Sequence, residues 1–439
     1  MVRTNLNSRS CYLLFFQKMK TKGFLIGLII CIFSSLQGQT SANNLKQDLL
    51  SFIKGKDSLV DAVFSQQTKY KLQIIYGKTV HHQMNSVELI NTNLTDSAYY
   101  FYPASAIKLP CAILAIEKLR ELKIPKEHYF RIGDKYTCGN TSHITKSQKQ
   151  KSSYHDIIQL MLAVSDNAAY NSVYEFLTPN YISSSLKNRG LSSIHIYKRF
   201  AGCSLTENLK INPVSFYNLE DRILYKQEPS VIELNEMARN YAFDHSKLIG
   251  EKHEFNFLIK NSPFDFNYTI ETSLMDLHSS LTRLVYPETA EPKDRWEITP
   301  EERSYLLKNI GVYPRELKVA PYTDTTKYPD NLLKYIVVGN QRNNKGNNVR
   351  TFSKIGISYG FITETAYVVD FEKNIDFFLS VNIYVNENKI LNDNIYEYES
   401  VARPFLSRLG NLILEYENTK DSASNKDFSN LQELFTNED

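Results

Sequence analysis

The spacing of apolar positions changes several times along the chain. Over 44–64, Leu45, Leu49, Leu50, Ile53, Val60 and Val63 recur at helical intervals and predict one amphipathic helix. Residues 70–76 (YKLQIIY) and 98–102 (AYYFY) read as strands, the second closed by Pro103. Helical spacing returns over 105–120, with Ile107, Ala112, Ile113, Ile116 and Leu119 apolar; Pro110 inside this segment removes one backbone donor and predicts a bend. From about 154 to 330 the pattern is mostly helical, most clearly over 154–164 and 270–285, and over 300–310 behind Pro300. Strand character reappears at 352–358, 365–371 (TAYVVDF) and 376–385 (DFFLSVNIYV), before a helix over 398–416 and a polar tail.

Strands therefore lie at both ends and helices in the middle. The first helix and strands must rejoin the last strands to close one antiparallel sheet, flanked by terminal helices. The expected fold is α/β plus all-α, with an inserted helical lobe. The divisions read from the pattern are a leader over 1–38, an α/β lobe from 39–104 and 335–418, a helical lobe over 105–334 with an enlarged insert at about 218–330, and a polar tail over 419–439. The 439 residues suffice for two or three such units. No internal repeat is visible. A junction between two lobes is a common place for a small-molecule site.

The N-terminus adds an address. Ten apolar residues, Phe24 to Phe33, follow Lys20 and Lys22 and precede the small and polar stretch 34–39. This is the layout of a secretory signal peptide, cut near Gly38, with Met19 as an alternative start. The apolar run is shorter than the roughly 20 residues of a membrane span, so no stable span is expected after cleavage. A periplasmic or secreted protein follows. The net charge of +3 is too small to indicate a nucleic-acid partner. Three cysteines remain after the leader, Cys111, Cys138 and Cys203, enough for one internal disulfide, with Cys111 placed in an apolar helix. No His/Cys pattern has metal-ligand spacing, and no cofactor is expected.

Three short motifs carry chemistry. In Ser105-Ala106-Ile107-Lys108, three-residue helical spacing puts an amine beside a hydroxyl. A serine hydroxyl needs a base to become a nucleophile, and a buried lysine near other positive charge has the depressed pKa to serve. The spacing alone is weak, since Ser51/Lys54 and Ser184/Lys187 share it. The second motif, Ser165-Asp166-Asn167, offers a hydroxyl to relay a proton and an amide to orient a substrate; the same three residues also suit a plain helix cap. The third, Lys354-Ile355-Gly356, lies on a strand whose edge can present a backbone N–H to an oxyanion, with the glycine admitting a substrate closely.

In this order the motifs resemble the Ser-x-x-Lys, Ser-Asp-Asn and Lys-Thr-Gly series of class A β-lactamases and their penicillin-binding relatives. Pro103–Pro110 resembles that family's nucleophile helix, and Asn171 stands four residues after Asn167, as in the family. The resemblance covers roughly 44–417. It implies acylation at Ser105, Lys108 as base, Ser165 as proton relay and Asn167 as a holder of the substrate amide. It further implies Lys354 as a positive charge favouring an anionic substrate, and the N–H groups of Ser105 and Ile357 as the oxyanion hole beside Gly356. The implied substrate is a small β-lactam or a peptidoglycan-like amide.

Two departures bear on the step after acylation. Class A enzymes use a glutamate to activate the deacylating water. Arg199-Phe200 resembles the opening of its loop, but Ala201 stands where the acid is expected. Glu207 in Leu205-Thr206-Glu207-Asn208-Leu209 is either a displaced replacement or a solvent-facing acid, and His195 is another possible base. The hydroxyl residue of Lys-Thr-Gly is Ile355 here, with Ser358 and Arg350 as nearby compensation. Three functions stay open: β-lactam hydrolysis, D,D-peptidase or esterase-like action on the cell wall, and a penicillin-binding sensor that stays acylated or never reacts.

Overall fold

The computed structural model describes residues 39–82, 86–96, 98–136, 138, 152–233, 243–339, 341–343, 348–420 and 426–436. The leader over 1–38 and the basic run at 146–151 lie outside these residues.

Five antiparallel strands form the central sheet: β1 (Gln73–His81), β2 (Val87–Asn93), β3 (Val349–Ser358), β4 (Phe361–Asp370) and β5 (Ile375–Tyr384). Their order is β3-β4-β5-β1-β2, so the N-terminal strands do join the C-terminal ones, through Gln73↔Asn382 to Lys78↔Phe377. Tyr359 and Gly360, both at positive φ, turn β3 into β4 in the two-residue hairpin that this conformation suits. β4 is buried along its whole length because both faces are covered. One face packs on the terminal helices α1 (39–53), α2 (Ser58–Ser65) and the C-terminal helix Arg403–Lys420. The other packs on the helical part: α3 (Lys108–Glu121), α4 (Tyr154–Ala163), α5 (Asn167–Leu177), α6 (Pro179–Asn188), α7 (Leu274–Val285) and α8 (Pro300–Gly311). The architecture is the expected α/β plus all-α arrangement around an antiparallel sheet.

Local expectations fail for identifiable reasons. The predicted helix 44–64 is two helices, because Gly55 adopts φ +80° and Asp57 caps a new start through the N–H groups of Leu59 and Val60. Residues 98–102 pair with no strand, and the partner of β1 is instead 87–93, whose polar residues hid it. Pro110 bends nothing. It lies in the first turn of α3, where a backbone N–H has no intrahelical acceptor to lose. The helix expected from 270 begins at Leu274 behind the Ser273 cap, and Ile270–Glu271 pairs with His195–Ile196.

The described residues between 195 and 271 are not mostly helical. They carry short strands, among them Val214–Tyr217 between Tyr129–Ile132 and Ile223–Gln227, and the hairpin Lys252–Phe255/Leu258–Lys260. That hairpin pairs with Ile390–Leu391, tying the insert to the C-terminal part. The tail is not uniformly polar in its role either. Phe428 packs on His81, and Phe435 lies against Phe352 and the Arg350 guanidinium, so 426–436 is docked.

Cys138 and Cys203 form a disulfide with Cα atoms 5.8 Å apart, and Cys111 is free and buried. Among the described residues no helix is long and apolar enough to cross a membrane.

Candidate active site

The site assembles where the start of α3, the start of α5 and the edge strand β3 meet. Ser105 occupies a 3-10 turn, Ala104–Ile107, that runs directly into α3. Ala104 takes φ +44°, and the turn is held by the contact of β3 with its backbone. A Cβ on Gly356 would stand 2.0 Å from the Pro103 carbonyl oxygen and 2.8 Å from the N atoms of Ser105 and Ala106. The glycine therefore admits the protein's own Ser105 turn rather than a substrate, which corrects the sequence expectation. The same contact sets the Ser105 N–H beside residue 356, with Ile357 next along the strand.

Lys108 is fully buried. Its Nζ donates to the Ser165 carbonyl at 2.6 Å and to Asn167 Oδ1 at 2.7 Å, with longer contacts to Ser165 Oγ and the Asp166 carbonyl, both 3.3 Å. Ser165 adopts φ +58°, which turns both its carbonyl and its hydroxyl toward the amine. Lys354 Nζ donates to the same Ser165 Oγ at 2.9 Å. Two buried amines thus converge on one hydroxyl. Among the described residues the Ser105 hydroxyl has no hydrogen-bond partner: the 105/108 spacing brings the groups to one turn, but the amine is drawn to the 165–167 segment. Catalytic hydrogen bonds are often long or misaligned before substrate arrives.

Electrostatics separate the two lysines. Burial, then the charge of Lys354, holds Lys108 well below the usual lysine range. Burial, then Lys334, brings Lys354 down to about 7, against the pull of Glu364. Lys334 is itself buried, donates to the Ile310 carbonyl and is lowered to about 7, chiefly by burial. No motif marks Lys334, so the sequence reading missed it.

The wall around Lys108 is aromatic. Its Nζ lies 5.0 Å from the Phe200 ring and 5.8 Å from that of Tyr170, and these two rings pack 4.5 Å apart. Asn171 orders this loop by accepting from the Phe200 N–H at 2.8 Å. Arg199 is buried, pairs with Glu175 at 2.8 Å and donates to the Lys210 carbonyl at 2.7 Å.

The remaining candidates lie elsewhere or are already engaged. Glu207 is a capping residue: its Oε2 accepts from the Ser204 N–H and hydroxyl, both 2.7 Å, and these bonds hold its carboxyl below the usual range. A carboxylate made less basic and bonded to its own helix start is a poor replacement base. His195 sits beside Lys247, Phe266 and Glu271 in a different cavity, with burial lowering its pKa. Ile355 is buried in the core that the terminal helices cover. Arg350 pairs with Glu316 at 2.8 Å, so it offers no compensation there. Asp166 caps α5 through the Ala169 N–H at 2.7 Å. Among the described residues no group of three His, Cys, Asp or Glu side chains is placed to hold a metal.

Comparison with solved structures returns a β-lactamase from Desulfarculus baarsii at 11% identity, covering 83% of this chain and 97% of that one with a TM-score of 0.46. A β-lactamase from Burkholderia ambifaria is also 11% identical, with 84% and 100% covered and a TM-score of 0.46. An ancestral class A β-lactamase is 10% identical, with 82% and 100% covered and a TM-score of 0.46. No curated protein matches. Residues 77–239 match the sequence model of the β-lactamase enzyme family, Beta-lactamase2. That span takes in Ser105–Lys108 and Ser165–Asn167, two of the three motifs, whereas Lys354 lies beyond it.

Proposed function

We propose that this protein is a secreted serine hydrolase that is acylated at Ser105 by β-lactams or related amides. The observation that carries the reading is the convergence of Lys108 and Lys354 on the Ser165 hydroxyl. Like charges this close cannot both persist in a buried site, and burial and the Lys354 charge both lower Lys108, so Lys108 serves as the neutral amine. A neutral amine donates two hydrogen bonds, here to the Ser165 carbonyl and Asn167 Oδ1, and keeps a lone pair for the Ser105 proton. Ser105 Oγ then bonds to the substrate carbonyl carbon while the N–H groups of Ser105 and Ile357 receive the oxyanion. The C–N bond breaks, the leaving nitrogen takes the Ser165 proton, and the protonated Lys108 returns a proton to Ser165 Oγ. Lys354, while protonated, and Asn167 hold an anionic substrate and its amide. The Cys138–Cys203 disulfide and the apolar N-terminal run support a periplasmic or secreted location.

A second reading, slow release of the acyl group as in a D,D-peptidase-like enzyme or a penicillin sensor, is favoured by one observation. Phe200, not a carboxylate, stands beside Lys108, and Glu207 is bound to its cap. The test is to incubate the mature protein with a fluorescent penicillin and with nitrocefin, following adduct mass and turnover. An adduct on Ser105 that is lost in Ser105→Ala supports acylation. Rapid nitrocefin turnover selects hydrolysis, and an adduct lasting hours selects the second reading. Identical behaviour of wild type and Ser105→Ala removes the proposal.

A further inference from the structure

Another lysine stands near the site without a carboxylate partner. Lys198 immediately precedes the Arg199-Phe200 pair that borders Lys108, and its carbonyl accepts from the Tyr170 hydroxyl at 3.0 Å. Its Nζ lies 5.9 Å from both the Tyr102 and Tyr359 rings, which pack edge-on at 5.4 Å. Phe266 closes the group at 5.0 Å from Tyr102 and 5.3 Å from Tyr359. Among the described residues no hydrogen bond or ion pair engages the Lys198 amine. A half-buried ammonium against a pair of aromatic rings has lost water without gaining a counter-charge, and a ligand carboxylate supplies one.

The chain places these rings near Ser105. Tyr102 lies three residues before Ser105, and Tyr359 lies three residues beyond Gly356, the residue packed on the Ser105 turn. Lys354 is bonded to the Ser165 hydroxyl, whereas Lys198 packs on the residues that lead into the Ser105 turn and out of β3.

We infer that Lys198, lying against the Tyr102 and Tyr359 pair, is an anion subsite for a second carboxylate of the substrate. This rests on the reading of Ser105 as the nucleophile. It names the favoured substrates as acyl donors with two anionic groups, one for Lys354 and one for Lys198.

Benzylpenicillin and carbenicillin test it, because they differ by one carboxylate on the acyl side chain. The second-order acylation constant, read by mass, is expected to be about tenfold higher for carbenicillin, the scale of one charged hydrogen bond. Lys198→Met brings the ratio to about one, and Lys198→Arg keeps it. Titration calorimetry on Ser105→Ala protein, with and without Lys198→Met, reads the same pair without the covalent step. A ratio of one in the wild type, or a ratio unchanged by Lys198→Met, overturns the subsite, as does equal calorimetric affinity of the two compounds. Discrimination in calorimetry with no adduct on Ser105 overturns the acylation reading and leaves the subsite standing.

Discussion

At the scale of residues, the proposed chemistry depends on which amine gives up its proton first. Burial and the Lys354 charge both lower Lys108, so the pair holds Lys108 as the neutral base while Lys354 is the cation. Acylation by an anionic β-lactam should rise with pH as Lys108 loses its proton. It should fall above about 7, because deprotonation of Lys354 removes the charge that holds the substrate. Lys354→Arg keeps its charge at every accessible pH, so the alkaline fall should move up by two pH units or more. Acylation rates from pH 5 to 9.5 check this; an alkaline limb that stays near 7 in the variant would assign it to another group. Residue identities made Ser105, Lys108, Ser165, Asn167 and Lys354 legible in advance. Glu207 misled because a capping box and a catalytic acid use the same residue type, and only the Ser204 bonds distinguish them.

At the scale of elements, the Ser105 turn is held by a strand and not by its own helix alone. β3 presses Gly356 into the backbone of 103–106, leaving no room for a methyl group. Gly356→Ala should therefore push the turn from the strand, costing roughly 1–3 kcal/mol in stability. It should slow penicillin labelling at least tenfold, a larger effect than the stability loss alone explains when most of the protein is still folded. Thermal melts paired with labelling rates on folded protein decide this, and an alanine variant that labels at the wild-type rate would refute the contact's role. The strands at 349–384 were legible as apolar runs because both faces are buried. β2 was not, because its sequence, VELINTN, mixes polar and apolar residues without clean alternation.

At the scale of the whole molecule, the insert and tail join parts that the pattern left separate. The Cys138–Cys203 bond spans 65 residues and links the segment after Tyr129–Ile132 to the loop that carries Arg199 and Phe200. Closing a loop of that length removes chain entropy worth about 4 kcal/mol from the unfolded state. Denaturant unfolding with and without reductant should show a loss of about this size. A midpoint that reductant does not shift would mean that the bond contributes nothing to stability.

The chain's own order of residues determined the three motifs, the buried C-terminal strands, the return of the N-terminal strand to them and the available cysteines. Each depends on local spacing or on residue chemistry that no fold can alter. Tertiary structure alone decided that Lys108 and Lys354 share the Ser165 hydroxyl, that Gly356 receives the Ser105 turn and that Lys198 lies against two rings. These depend on burial and on contacts across tens to hundreds of residues, and both arise only when distant segments pack together.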